Sequence, residues 1–417
     1  MPHSFFFNSK MKLEERVQNF IYEMGPIFIK FAQTLSTSPD IVGPRMSHIL
    51  SLVQDKLPSF GKEIFVKKFQ GNFNLKIEDV FEYFDYETVS SASVAQVYKA
   101  KLKTGEDVAV KCLRPNILKR YRQDIVFLEY LYKIFSKIFS NIRQKSQRLK
   151  LQEVLNLFQT IMYKELDLKQ EAYSASKIRN NFMDDDDVYI PKIYPQFVST
   201  EILVLEWVEG FSVYDHDNIS KAGLNLQDIV YKFVRTFFNQ AYRDGFFHAD
   251  PHPGNILISK FGQIIILDFG IVSAIEEKDR LAVAEILYAF LQRDYLLVAK
   301  IHRNVGYIPQ DVNLELFADA CRKIAEPMID KEGFEFSIDK LLYNLFKITE
   351  DFGMQTQIQL LMLQKTLVMV EGVSRILGAQ TNIWYLIKPH IKKWALKNIS
   401  FEAKLVKIFK ECLKKLF

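Results

Sequence analysis

The densest chemistry in the sequence is the block His248-Ala249-Asp250-Pro251-His252-Pro253-Gly254-Asn255, followed after an apolar run by Asp268-Phe269-Gly270. Two carboxylates and a side-chain amide held around a short hairpin form a hard-oxygen cluster, suited to Mg²⁺ and to a nucleophile that needs orienting. Asp, Asn, Pro and Gly are also ordinary turn formers, so the block does not stand on composition alone. Order and spacing give it weight. Upstream, Val108-Ala109-Val110-Lys111 reads as a strand, and a small-residue turn, Ser90-Ser91-Ala92-Ser93, precedes it on the neighbouring strand. A lysine inside an apolar strand is costly to bury unless an anion meets it. Triphosphate oxygens and a carboxylate would both serve, and Glu165, on the helix that follows, is the best carboxylate candidate.

The elements that must position these groups follow from periodicity. Residues 12–60 read as helical, with Pro26 placed to begin a helix through Phe31 and Leu35. Residues 77–113 alternate valines with polar residues around Lys103-Thr104-Gly105-Glu106, a strand-turn-strand signature that Pro115 ends. Amphipathic helix then runs to Phe182, the acidic run Asp184–Asp187 reads as a solvated loop, and Ile202–Leu205 reads as a strand. Beyond Glu206-Trp207-Val208-Glu209-Gly210 the pattern is almost wholly helical, apart from short β segments around Ile256–Leu267. The expected fold class is α+β: two lobes meeting near residue 208, of the protein-kinase type, with an N-terminal helical extension and a largely helical C-terminal lobe. The expected division is 1–60 for the extension, 61–207 for the first lobe with its helical insertion, 208–390 for the second, and 391–417 for a basic amphipathic tail.

In such a fold a loop lies over the phosphates, a strand lysine meets a helix glutamate, a base and a metal-binding Asn share one loop, and an Asp-Phe-Gly holds metal. Two features depart from an ordinary protein kinase. The glycines of the phosphate loop are replaced by Ser90, Ser91, Ala92 and Ser93, whose Cβ atoms restrict the backbone. His248-Ala249-Asp250 lacks an arginine for an activation-loop phosphate, and no Ala-Pro-Glu follows Asp268, so no peptide-docking platform is expected.

In Lys30-Phe31-Ala32-Gln33, Ser90–Gln96, Glu165-Leu166-Asp167 and His248–Asn255 the sequence resembles the UbiB family, atypical protein-kinase-like proteins linked to ubiquinone biosynthesis. The resemblance runs from about Gly25 to the end of the helical lobe, with Ala32 where the family pattern has glycine. It implies that Asp250 occupies the catalytic-base position and that Asn255 and Asp268 hold Mg²⁺. It implies that ATP meets Val89, Ser90, Ser91, Ala92, Ser93, Val94, Ala95, Gln96 and Val97. Lys111 would contact the phosphates and pair with Glu165, with adenine against Glu206–Val208. It also implies that Lys30 and Gln33 form a regulatory segment folded over the site, with Lys30 near the carboxylates of Glu165 and Asp167. His248 and His252 read as residues that pack or shape the loop.

Composition bounds the setting. The three cysteines, Cys112, Cys321 and Cys412, form no CxxC pair, which argues against a disulfide framework or a zinc site and for a reducing compartment. No run of about 18 uninterrupted apolar residues exists. The net charge of +5 is uneven, because Lys392–Phe417 carries eight Lys and two Glu while the body before it is nearly neutral. From Phe401, apolar residues recur at helical spacing with lysines mostly elsewhere on the wheel, the composition of a helix lying on an anionic bilayer. The expectation is therefore an Mg²⁺-dependent ATPase or atypical kinase, cytoplasmic and peripherally attached to the inner membrane. Prenylated quinone precursors, membrane lipids and quinone-biosynthesis enzymes are its expected partners, and no nucleic acid. A small-molecule phosphotransferase of the aminoglycoside or choline kinase kind shares the His-x-Asp-x-x-x-x-Asn logic. A non-catalytic, nucleotide-binding scaffold for quinone enzymes is the alternative from another class.

Overall fold

The computed structural model describes residues 12–36, 42–53, 57–138, 145–329, 348, 351–353, 358–378, 386, 389–390 and 393–394. The tail expected at 391–417 lies outside them apart from Lys393 and Trp394, as does Cys412. The chain divides into two compact units, one of residues 1–176 and 192–208, the other of 177–191 and 209–417. The first unit ends at Val208 and takes in the helical extension, while residues 177–191 belong to the second.

In the first unit, α1 (Leu13–Met24) and α2 (Pro26–Ser36) are joined at Gly25, followed by α3 (Pro44–Ser51). Gly25 has φ +97°, and a Cβ there would lie 2.7 Å from the guanidinium carbon of Arg120. The positive φ is what favours glycine here, since the Arg120 guanidinium is the end of a flexible side chain that could move aside. α2 buries Ile27, Ile29 and Ala32, and Phe31 meets Phe158 edge-on at 5.1 Å. Then come α4 (Lys62–Phe73), α5 (Ile77–Val80) and a wholly antiparallel sheet. Its strands are β1 (Phe81–Ser91), β2 (Ala95–Leu102), β3 (Asp107–Leu113), β5 (Ile193–Val198) and β6 (Ile202–Glu206), in the order β1-β2-β3-β6-β5. The helices expected between Pro115 and Phe182 are α6 (Ile117–Ile138), α7 (Lys145–Glu165) and α8 (Leu168–Asn181).

One sheet face is packed by aromatic rings. Phe65 of α4 lies 4.6 Å from Tyr98 and 4.7 Å from Phe84 between ring centroids, and Phe69, Phe81, Val108, Val110 and Cys112 complete the core. Because successive strand residues point to opposite faces, burying Val110 and Cys112 sends Lys111 to the other face. A one-residue slip would drive its ammonium into this aromatic core.

The second unit opens with the end of α8 and β4 (Val188–Tyr189), then β7 (Phe211–Ser212), α9 (His216–Lys221) and α10 (Leu226–Phe238). A π-helical turn, Asn239–Asp244, leads into β8 (Phe246–His248). β9 (Ile256–Ile258) and β10 (Ile264–Ile266) form a four-stranded sheet with β4 and β7, while β8 pairs with β11 (Val272–Ala274). The helices α11 (Glu277–Leu291), α12 (Tyr295–Asn304), α13 (Leu314–Ile329) and α14 (Ile358–Ile376) come after them in the chain. The acidic run is not simply a solvated loop. Arg235 on α10 meets Asp185 at 2.8 Å and Asp187 at 2.7 Å, and Lys232 meets Asp187 at 3.3 Å. No described helix is long and apolar enough to cross a membrane.

Candidate functional site

In the first unit, strand register sets Ser90, Val97, Lys111 and Leu203 opposite one another in a row across four strands. Lys111 Nζ lies 2.8 and 2.9 Å from the two carboxylate oxygens of Glu171, whose side chain is 4% exposed. The expected Lys111–Glu165 pairing is thus corrected. α7 ends at Glu165 and the chain turns through Leu166 and Asp167 before α8 begins, so Glu165 faces the extension, 3.4 Å from Lys30 Nζ, as expected of Lys30. Asp167 is occupied locally: its Oδ1 accepts the Lys169 N–H at 3.0 Å, a helix-capping contact at the start of α8. Gln33, half-buried on α2, gives its carbonyl to the Ser36 hydroxyl.

Glu171 was legible, though on a different signal. Leu168, Glu171, Ala175 and Ile178 recur at three- and four-residue spacing and are all buried, which makes Glu171 the one charge on an apolar stripe. A buried carboxylate needs a cation, and Lys111 supplies it.

The residues expected to meet nucleotide separate by face. Val89 and Ser90 are exposed, Ser91, Ala92 and Val97 half-buried, and Ser93, Val94 and Ala95 buried. Gln96 is corrected outright. It points into the aromatic side of the sheet, 0% exposed, where its Oε1 accepts Phe60 N–H at 3.1 Å and its Nε2 donates to Phe60 O at 3.3 Å and to the Tyr98 hydroxyl. Glu206 is partly committed as well, its carboxylate accepting the Lys192 N–H at 3.0 Å. Trp207 N–H donates to Asp107 O at 3.0 Å, and Val208 is half-buried.

In the second unit, Gly245 at φ +62° turns the chain out of the π-helical turn into β8. His248 is fully buried and organises the loop beyond it. Its Nδ1 accepts the Asp250 N–H at 3.1 Å, which places the ring proton on Nε2, donated to Asp268 O at 2.6 Å. One imidazole therefore fixes the backbone of both Asp250 and Asp268. Asn255 Nδ2 donates to Asp250 O at 3.3 Å, and His252 shapes the turn by accepting the Gly254 N–H at 3.1 Å. Asp268 has φ +52°, a left-handed conformation uncommon outside glycine and tolerated best by Asn and Asp. Its Oδ1 accepts the Gly270 N–H at 3.1 Å, and Phe269 packs on His248 with centroids 5.7 Å apart.

The donor chemistry fits a hard cation. Asn255 commits its NH₂ to Asp250 O, so its side-chain oxygen is the atom left to coordinate, and Asp268, whose Oδ1 accepts the Gly270 N–H, adds a carboxylate. Asn255 and Asp268 are the residues of this loop that would hold such a cation.

Residues 52–302 match the ABC1 atypical kinase-like domain, and residues 321–382 match the UbiB helical domain. A protein of Histophilus somni named probable protein kinase UbiB is 36% identical over 396 residues, covering 93% of this chain and 72% of that protein. One of the same name from Pseudomonas paraeruginosa is 36% identical over 389 residues, covering 92% and 72%. Among solved structures, the Mycobacterium tuberculosis protein Rv3197, in its complex with erythromycin, superposes with a TM-score of 0.57 at 21% identity, covering 85% of this chain and 90% of that one. That likeness shows the kinase-like fold. With both domains matched in sequence order and such relatives aligned along more than nine-tenths of its length, the chain belongs to the UbiB family of atypical kinase-like proteins.

Proposed function

We propose that this chain binds Mg-ATP and acts as an atypical kinase or ATPase supporting ubiquinone biosynthesis at a membrane surface. The observation that carries the reading is the buried Lys111–Glu171 pair on a sheet row shared with Ser90 and Val97. A strand lysine held by a helix carboxylate is the arrangement with which kinase-like folds present a cation to phosphate. Bound Mg²⁺ would neutralise charge developing on the phosphoryl oxygens. Asp250, its backbone fixed by His248, would orient an attacking hydroxyl or water and accept its proton at the side-chain carboxylate. Lys111, kept in place by Glu171, would meet phosphate oxygens, and Trp207–Val208 would offer backbone groups to adenine. The names of the relatives and the two matched domains support the link to ubiquinone. Prenylated precursors or their enzymes are the proposed beneficiaries, and the basic tail the proposed membrane contact.

The test is profiling of quinone intermediates in cells whose only copy carries Asp268→Asn. The reading expects quinone to fall and an early prenylated intermediate to accumulate, to the same extent as in a strain lacking the protein. Full quinone synthesis with Asp268→Asn, and again with Asp250→Asn added, would establish a scaffold in its place.

A further inference from the structure

The Ser90–Val94 turn has a Cβ at every position and cannot use glycine to adapt its backbone, so something else must hold its shape. The holding group is the side chain of Arg114, one residue beyond β3. Its Nε donates to Ala92 O at 2.9 Å, and Nη1 to Pro58 O at 2.8 Å. Nη2 donates to Leu57 O at 3.2 Å and to Ser91 Oγ at 2.9 Å. Four of the guanidinium's five N–H groups are thus spent on two segments, a use that a planar fork permits and an ammonium does not. The Arg114 backbone N–H adds a bond to Val94 O at 2.9 Å.

Leu57–Phe60 has no regular secondary structure and lies in sequence between α3 and α4. It is stitched to the turn at further points. Leu57 N–H donates to Ser91 O at 3.3 Å, and Ser91 Oγ donates to Leu57 O at 2.8 Å. Gln96 grips Phe60 N–H and C=O together. The strap is therefore bonded to the residues on both sides of the turn, Ser91 and Gln96, and in sequence it stands between the helices that include Lys30 and α4.

We propose that Arg114 is a positioning residue for the nucleotide: by clamping the Ser91–Val94 turn to the Leu57–Phe60 strap it sets nucleotide affinity and ties the turn to the helical extension. The proposal rests on the nucleotide-binding reading. Arg114 acts through the turn and is not itself assigned a phosphate contact.

The experiment uses the full chain, with Arg114→Lys and Arg114→Ala, and three readouts: affinity for Mg-ADP by calorimetry, nucleotide-free unfolding by urea, and amide hydrogen exchange without nucleotide. Arg114→Lys keeps the charge and loses the fork. It is expected to keep a near-normal unfolding midpoint, to exchange faster only over 57–60 and 90–96, and to bind Mg-ADP about tenfold more weakly, with Arg114→Ala no better. Wild-type affinity in Arg114→Lys would overturn the proposal in favour of charge alone. So would a lowered midpoint with unchanged affinity, the signature of a purely structural residue. If the wild type bound no Mg-ADP, the nucleotide reading would fall and the affinity claim with it, while unchanged exchange in 57–60 and 90–96 would separately sink the clamp.

Discussion

Lys111 and Glu171 are 14% and 4% exposed as side chains, and removing one member of such a buried pair strips the other of a close, charge-assisted contact in a place where water cannot replace it. Glu171→Gln is expected to lower stability by about 3 kcal/mol in urea unfolding and to weaken Mg-nucleotide binding sharply. Glu165→Gln breaks a longer contact to the more exposed Lys30, so about 1 kcal/mol is expected, with nucleotide binding retained. The reverse order of effects would restore Glu165 as the partner of Lys111. Asp250, Asn255, Asp268 and Lys111 stand out in the sequence because their order and spacing form motifs, and the structure adds the backbone bonds from His248 that hold Asp250 and Asp268. Glu171 was obscured by its position in the first turn of α8, where an acid has a sufficient reason to stand in the favourable field of the helix N-terminus. Its placement on an apolar stripe was the more telling signal.

At the scale of elements, long periodic segments were readable and very short ones were not. The helices from Ile117 to Asn181 and the β2–β3 hairpin follow their apolar repeats. β7, β8 and β11 have two or three residues each, too few for an alternation to register. Face assignment was similarly hidden for Gln96: an amide near a phosphate turn suggests a ligand contact, but the β2 alternation that buries Tyr98 and Ala100 must bury Gln96 as well. A pH prediction belongs to the α12–α13 pair. Burial among Tyr307, Phe317 and their neighbours pushes His302 down to about 4, partly offset by its hydrogen bond to Val298 O. Since its folded value lies below the ordinary 6.5, the unfolded chain binds the proton first. The contribution is complete above pH 6.5 and is lost as pH falls toward 4, amounting to about 2 kcal/mol between pH 7.5 and 5. His390, whose value burial also lowers, adds a smaller loss of the same sign. His302→Phe is expected to flatten the pH dependence of the urea midpoint, and an unchanged slope would refute the assignment.

For the whole molecule, length implied two lobes, and the chain forms two compact units that part between Val208 and Glu209. The exchange of residues 177–191 into the second unit was not legible, because it depends on β4 pairing with β10 and on Arg235 reaching Asp185 and Asp187, contacts made across about 50 to 75 residues of sequence. The net charge of +5 describes a nearly neutral body with a strongly basic end. Deleting residues 401–417 is expected to weaken cosedimentation with anionic vesicles while leaving Mg-ADP affinity unchanged, and equal cosedimentation would exclude the tail as the membrane contact. Thermal unfolding with and without Mg-ATP tests most directly whether this chain holds a working Mg-nucleotide site. A ligand that binds only the folded protein stabilises it by about 2.7 kcal/mol at one hundred times its dissociation constant. The expected result is a clear upward shift of the wild-type midpoint that Asp268→Asn loses; no shift in the wild type, or a full shift in Asp268→Asn, would contradict it.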